Sequence, residues 1–407
     1  MFSALETLPL SELRARWQSC RDLLAESSPR AGGLMAFSKV AVYYLAGTCN
    51  QGVFWLPMEG EPVLFLRRGA ERARLESPMA GVVEFRSYRD LPGLAADAGS
   101  PLPEAIAAER NGLPWALADS LRKHLAGVEF LPGDLVLAKA QSVKSEWELG
   151  KMRLCGQRHH RCLRELVPAR IHPGMSEREI SHACWEVFFE QGHMGQMRMS
   201  AFGEEIFLGH VSAGDSGNYP SSFDGPLGLR GEHPALPFMG YARKVWNPGE
   251  PLALDVGFTL EGYATDKTQV VWAGPESSMP DEAARGQRFC EDVQAWLAER
   301  LKPGAVPSEL YAHCVEWAEK EGLSNGFMAL PPNSVSFLGH GIGLTIDGFP
   351  VIAKGFDEPL VANQTVALEP KYGVEGLGMV GVENTFVVTP SGGECLTGDE
   401  YGPVYLD

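Results

Sequence analysis

Residues 252–274 read LALDVGFTLEGYATDKTQVVWAG, and this stretch decides how the C-terminal part of the chain folds. Two apolar runs rich in Val, Leu, Phe and Thr flank a turn around Leu260–Gly262, the pattern of strand, turn, strand. A turn centred between Leu260 and Glu261 sets Asp255 directly opposite Asp266. A slip of two residues in register leaves both side chains on the same face. Two carboxylates facing one another across a hairpin repel, so a positive group must neutralise them. A divalent cation does this best.

Working outward, residues 364–389, QTVALEPKYGVEGLGMVGVENTFVVT, repeat the arrangement. VALE and VENTFVV read as strands around a glycine-rich connection (Gly373, Gly376, Gly378, Gly381). Glu369 and Glu383 are symmetric about Gly376, which puts this second acid pair on one face as well. All four acids interrupt otherwise apolar strands. Between the pairs lies SFLGHGIGLTIDGFP (336–350), where His340 sits between glycines that let backbone approach a site closely.

Four carboxylates and one imidazole match two M²⁺ ions in charge. The oxygen-rich set suits Mn²⁺ first, with Co²⁺, Fe²⁺ or Zn²⁺ as alternatives and Mg²⁺ disfavoured by the histidine. Two metals about 3.5–4 Å apart can bridge and activate a hydroxide and clamp a tetrahedral transition state. The chemistry expected is hydrolysis of an amide or related carbonyl–nitrogen bond.

The chain has 407 residues, enough for two domains. With 44% apolar and 21% charged residues it reads as a globular protein, not a disordered or fibrous one. A formal charge of −17 argues against nucleic-acid binding, which needs clustered Lys and Arg. Eight scattered cysteines form no CxxC pair, so reduced thiols in a cytoplasmic protein are expected. MFSALETLPLSELRARW (1–17) lacks the basic and apolar regions of a signal peptide. No run of about 18 apolar residues occurs, so no membrane span is expected.

Residues 12–26 read as an amphipathic helix, and VAVYYLAG (40–47), GVFWLPM (52–58) and EPVLFLRR (61–68) as strands, the last two joined by a turn at 59–62. A further strand–helix stretch runs to LPGDLVLAK (131–139), which completes a small α/β unit. The boundary falls near Gln141–Lys144, ahead of a capping box at Ser145–Glu148. The expected domains are therefore 1–142 and 143–407. Inside the second, IHPGMSEREISHACWEVFFEQG (171–192) aligns without gaps on LKPGAVPSELYAHCVEWAEKEG (301–322). Each copy reads as a Pro-Gly turn, a helix and a terminal glycine, as expected of two related halves with an active site between them.

These residues resemble those of the pita-bread metallopeptidases: prolidase, aminopeptidase P and methionine aminopeptidase, with creatinase as a non-peptidase cousin. The resemblance rests on Asp255-Val256-Gly257, on Gly262-Tyr263-Ala264-Thr265-Asp266-Lys267-Thr268, and on Gly339-His340-Gly341-Ile342-Gly343-Leu344. Glu369-Pro370 and Glu383-Asn384-Thr385 complete it. It implies an α+β protein: a small α/β creatinase-type N-terminal domain and a C-terminal pita-bread domain of two related halves. It also implies that Asp255 binds one metal, Asp266 and Glu383 bridge both, and His340 and Glu369 ligate one each, with Glu369 as general base. Catalysis would thus rest on Glu369 and His340, acting on a short peptide of Xaa-Pro type in a homodimer.

Three positions depart from the family pattern. The substrate-contacting histidine after the G-H-G-x-G-L segment is Asp347, the histidine after a proline in the S-G-x-N segment is Ser221, and the Arg after the hairpin Thr is Gln269. His210, in LGHVSAG, is a candidate to supply an imidazole from nearby. His210, Ser221 and Asp347 are accordingly the candidate substrate-binding residues. The departures keep a second reading open, a small-molecule amide hydrolase of the creatinase or ectoine-hydrolase type. An inactive binding module ranks last, because no metal ligand is lost.

Overall fold

A computed structural model describes residues 6–201, 205–237 and 240–406. The first five residues of the stretch judged not to be a signal peptide therefore lie outside the described residues. The chain divides into two compact units, Met1–Gln141 and Ser142–Asp407. Among the described residues, no helix is long and apolar enough to cross a membrane. All eight cysteines are free thiols.

The first unit runs α1 (Leu10–Ser27), β1 (Gly33–Ala36), α2 (Lys39–Ala46), β2 (Gly52–Pro57), β3 (Val63–Leu66), α3 (Ala70–Glu76) and β4 (Val82–Glu84). It continues through α4 (Leu91–Asp97), β5 (Ala105–Ala108), α5 (Trp115–His124), β6 (Glu129–Pro132) and α6 (Asp134–Ser142). Its strands form one mixed sheet in the order β4-β3-β2-β1-β5-β6. The VAVYYLAG run is a helix, not the strand its Val and Tyr content suggests. Ser38 caps its start by accepting the Ala41 N–H, and Gly47, at φ 73°, closes its end. Those two caps outweigh the intrinsic β-preference of the run. The adjacent strand β1 gave no comparable signal in the sequence.

The second unit contains α7 (Glu146–Arg161), α8 (Glu177–Glu190), β7 (Met197–Arg198), β8 (Glu205–Ile206), β9 (Gly209–Ala213), β10 (Pro251–Leu260) and β11 (Tyr263–Ala273). Then come α9 (Asp281–Arg300), α10 (Pro307–Lys320), β12 (Phe337–Gly341), β13 (Val351–Ala353), β14 (Thr365–Leu368) and β15 (Lys371–Val374). β16 (Gly378–Gly381), β17 (Asn384–Thr389), β18 (Gly392–Cys395) and β19 (Val404–Leu406) close the chain.

The aligned segments occupy equivalent places. Gly174 (φ 100°) and Gly304 (φ 93°) turn the chain into α8 and α10, and Gly192 (φ 90°) and Gly322 (φ 67°) lie beyond their ends. In the first half, Ile180, Val187 and Phe188 of α8 pack with Leu254, Val256 and Phe258 of β10. In the second, Val293 and Leu297 of α9 and Leu310 and Cys314 of α10 pack with Val366, Leu368, Phe386 and Val388. Side chains alternate across a strand, so in each half the residues between these apolar ones face the other way. Asp255 and Asp266, Glu369 and Glu383 all fall in that second set.

Candidate metal centre

The β10–β11 turn is Glu261-Gly262, with φ of 51° and 89°, the doubly positive geometry favoured in two-residue hairpins. It lies one residue beyond the expected centre. Asp255 therefore faces Thr268, and Asp266 faces Gly257. This is the two-residue slip that keeps both acids on one face, offset diagonally.

The second pair follows the symmetry about Gly376 in full. Val366 faces Phe386 on β14 and β17, and Tyr372 faces Val380 on β15 and β16. Glu369 and Glu383 sit where one ladder gives way to the other. The glycine-rich connection is thus itself a hairpin, not an irregular loop. His340 faces Ala367, two residues before Glu369. Its glycine neighbours are sterically required: a Cβ on Gly339 would lie 2.3 Å from the Ala367 carbonyl oxygen, and one on Gly341 2.0 Å from that of Phe349.

The five expected ligands converge. His340 Nε2 lies 3.4 Å from Glu369 Oε1 and 3.9 Å from Glu383 Oε1. Asp266, His340 and Glu383 each offer a donor atom, all within 4.8 Å of one another, which fits a divalent ion. His340 Nδ1 lies 3.3 Å from the Gly341 carbonyl oxygen. A proton there leaves Nε2 as the ligating atom. Thr268 Oγ1 donates to Glu383 Oε2 at 2.9 Å, and Thr385 Oγ1 accepts the Asp266 N–H at 2.9 Å.

The sequence reading missed one member of the cluster. Lys371 is 1% exposed, and its Nζ lies 2.8 Å from Glu383 Oε2, 3.1 Å from Glu369 Oε2 and 3.3 Å from Asp255 Oδ2. The signal was present: Lys371 is two residues after Glu369 in an apolar stretch, and period-two alternation aims both the same way. Its cross-strand partner Gly381 leaves space for the stem.

The charges settle unevenly around this ammonium. Burial works against a charged Lys371, but Asp255, Glu383 and Glu369 hold it well above the ordinary lysine range. Burial likewise pushes Asp255 up, yet Lys371 carries it below the usual carboxylate value. On the other side, burial and the charge of Asp255 raise Asp266 to about 7. Burial and Asp266 push Glu383 well above the carboxylate range. Burial opposes a protonated His340, but its hydrogen bond to Glu369 and the surrounding acids raise it to about 9.

Every part of this arrangement, from the two acid-bearing hairpins to the glycine-bracketed histidine, lies within residues 150–390. Those residues match the sequence model described as metallopeptidase family M24. The chain belongs to that family. Residues 16–143 match the creatinase/prolidase N-terminal domain. Family M24 is the pita-bread metallopeptidase family, and membership implies divalent metal ions.

Relatives within the family include the Xaa-Pro dipeptidase of Lactobacillus delbrueckii subsp. lactis, 26% identical over 72% of this chain and 70% of that one. The Xaa-Pro dipeptidase of Pyrococcus furiosus is 23% identical over 89% and 92%. Among solved structures, the Xaa-Pro dipeptidase from Bacillus anthracis superposes with a TM-score of 0.79 at 20% identity, over 97% of this chain and 100% of that one. At that identity the likeness establishes the fold.

The three candidate substrate-binding residues are placed differently. His210 on β9 faces Asp255 directly. Its Nδ1 donates to the Leu227 carbonyl at 3.0 Å, and its buried Nε2 has no hydrogen-bond partner among the described residues. Ser221 accepts the Phe223 N–H at 3.0 Å, in the loop that brings the Phe223 ring to 5.6 Å from His210. Asp347 uses both carboxylate oxygens on Ser200, accepting its N–H at 2.6 Å and its hydroxyl at 2.7 Å. Gln269, where the family has Arg, donates to the Gly402 carbonyl and accepts from Arg164.

Proposed function

We propose that this family M24 chain is a metal-dependent hydrolase of Xaa-Pro peptides, in the manner its relatives' names describe. The observation that carries the reading is the convergence of Asp255, Asp266, His340, Glu369 and Glu383 from three separate stretches onto one buried locus. In this reading Asp266, His340 and Glu383 hold divalent metal, manganese first, with cobalt, iron or zinc as alternatives. A metal held there would supply Lewis acidity, which polarises a scissile carbonyl and makes water nucleophilic at neutral pH.

The chain's own residues do the rest. Glu369 accepts a proton from the attacking water and passes it to the departing amine nitrogen, as a general base and then acid. Lys371 fixes Glu369 through Oε2, so Oε1 is the oxygen left for that work. With Nδ1 tied to Leu227, His210 offers Nε2 as an acceptor beside Asp255, suited to a donor group on the substrate. Asp347 and Ser221 act as positioning residues, through Ser200 and the Phe223 loop. The enzyme would work as a cytoplasmic homodimer, a state light scattering on the purified protein reads directly.

The test is turnover of Ala-Pro, Gly-Pro and Xaa-Pro-Yaa peptides by the manganese-loaded full chain. Cleavage that stops on chelation and returns with metal is expected. Glu369→Ala should lower kcat by about a thousandfold, within the range of lost acid–base catalysis. Metal binding without cleavage of any proline peptide would sink the Xaa-Pro reading and favour a small-molecule amide substrate. Near-normal turnover in Glu369→Ala would remove that residue as the base.

A further inference from the structure

Two acids in the centre are divided between two cations. Glu369 and Glu383 each turn Oε2 to the Lys371 ammonium, at 3.1 and 2.8 Å, and Oε1 to His340 Nε2, at 3.4 and 3.9 Å. A third oxygen, Asp255 Oδ2 at 3.3 Å, completes the surroundings of the ammonium. The ammonium donates hydrogen bonds to Glu369 and Glu383 and forms an ion pair with Asp255, so three carboxylates surround it. A compact cation held by three acid oxygens at this range stands where a metal ion would otherwise be coordinated by the same atoms.

We infer that Lys371 permanently fills one of the two cation positions, so the chain binds a single divalent ion, held by Asp266, His340 and Glu383 with Glu369 Oε1 alongside. The inference rests on the metal-dependent reading above and changes its stoichiometry. Three observations support it. The only cluster of metal-ligating side chains found among the described residues is Asp266, His340 and Glu383, and of these Glu383 alone also meets the ammonium, through Oε2. The Lys371 stem is 1% exposed and lies against Gly381, where a Cβ would come within 2.6 Å of the Lys371 Cα and 3.3 Å of its Cβ. The stem is thus held in the interior, and the two strands approach each other too closely here for any side chain at 381. Moving the ammonium aside for a second ion would also push a charge into apolar packing, which is strongly unfavourable. Asp255 becomes an acid for the lysine rather than for the metal. The ammonium is an internal, non-exchangeable counter-ion.

The test counts metal. Full-length protein is saturated with Mn²⁺, desalted and measured by inductively coupled plasma mass spectrometry. The wild type should hold about one ion per chain and Lys371→Ala about two, since removing the ammonium frees three oxygens for a second ion. Crystals soaked in Mn²⁺ should show one anomalous peak beside His340 in the wild type, a readout that stands even if Lys371→Ala fails to fold. Two ions in the wild type would overturn the inference while leaving the metal-dependent reading intact. A folded Lys371→Ala that still holds one ion would also overturn it. No ion in folded wild type at excess Mn²⁺ would overturn both.

Discussion

On the face that carries Asp255 and Asp266, the β10–β11 hairpin has no cation of its own, whereas the strand after Glu369 supplies Lys371. The hairpin does contain a lysine, Lys267, but alternation turns it to the opposite face. There it is fully buried and donates to Asn384 Oδ1 at 2.6 Å. Burial drives Lys267 down to about 8, whereas three carboxylates drive Lys371 the other way. Two lysines of equal burial thus differ because one has counter-charges and the other an amide. The same logic divides the acids. Asp255 is served by Lys371, whereas Asp266 lies beside His340, in the cluster whose donor atoms can hold a divalent ion.

That division predicts unequal consequences for two equal substitutions. Asp266→Asn should weaken Mn²⁺ affinity by about 100-fold or more, at the upper end of what loss of supporting metal interactions costs. Asp255→Asn should change it by less than about tenfold, because the lost charge faces an ammonium. Isothermal titration calorimetry on the two variants decides the matter. Equal losses would mean that the two acids serve the same ion, and the contrast between the hairpins would fail.

The next largest effect sharpens how glycine serves each side. At Gly341, which borders the ligating His340, a Cβ would meet the Phe349 carbonyl at 2.0 Å. Backbone cannot give way as a side chain does, so Gly341→Ala should cost about 3 kcal/mol in urea denaturation. At Gly376, the tip between β15 and β16, φ is 71° and nothing lies within 4 Å. Gly376→Ala should cost about 1 kcal/mol, the penalty of a left-handed conformation alone. Similar losses at both would show that close approach is not what glycine provides beside His340.

The sequence revealed the acids because charge in an apolar strand is conspicuous and because register is symmetric about a turn. That argument placed Glu369 opposite Glu383 correctly and misjudged the Asp hairpin by one residue of turn. Alternation rescued the conclusion there, since a slip of two preserves the face. Lys371 escaped notice because the reading followed ligand types and left a lone lysine aside, although the same alternation applied to it. The VAVYYLAG run misled for another reason. Its apolar residues fit either period over so short a length, and only the capping by Ser38 and Gly47 decides for a helix. His210 was visible as an imidazole near the site, but its opposition to Asp255 depends on β9 joining the sheet across a long excursion of chain, which no local pattern announces.

The smallest expected effects come from the two threonines that tie the hairpins together, each reaching from one acid pair to the other. Thr385 Oγ1 accepts the Asp266 N–H at 2.9 Å and donates to the Asp266 carbonyl at 3.0 Å, so it fixes the backbone of the metal-facing acid. Thr385→Val leaves both groups buried without that partner and should cost about 2 kcal/mol. Thr268 Oγ1 donates to Glu383 Oε2 at 2.9 Å, an oxygen that also receives Lys371 at 2.8 Å. Because the ammonium remains, Thr268→Val should cost only about 1 kcal/mol. The order of the two costs follows from where the lysine lies. Were Thr268→Val the more damaging, the hydroxyl and not the ammonium would be the main support of Glu383, and the two sides of the centre would be more alike than their charges indicate.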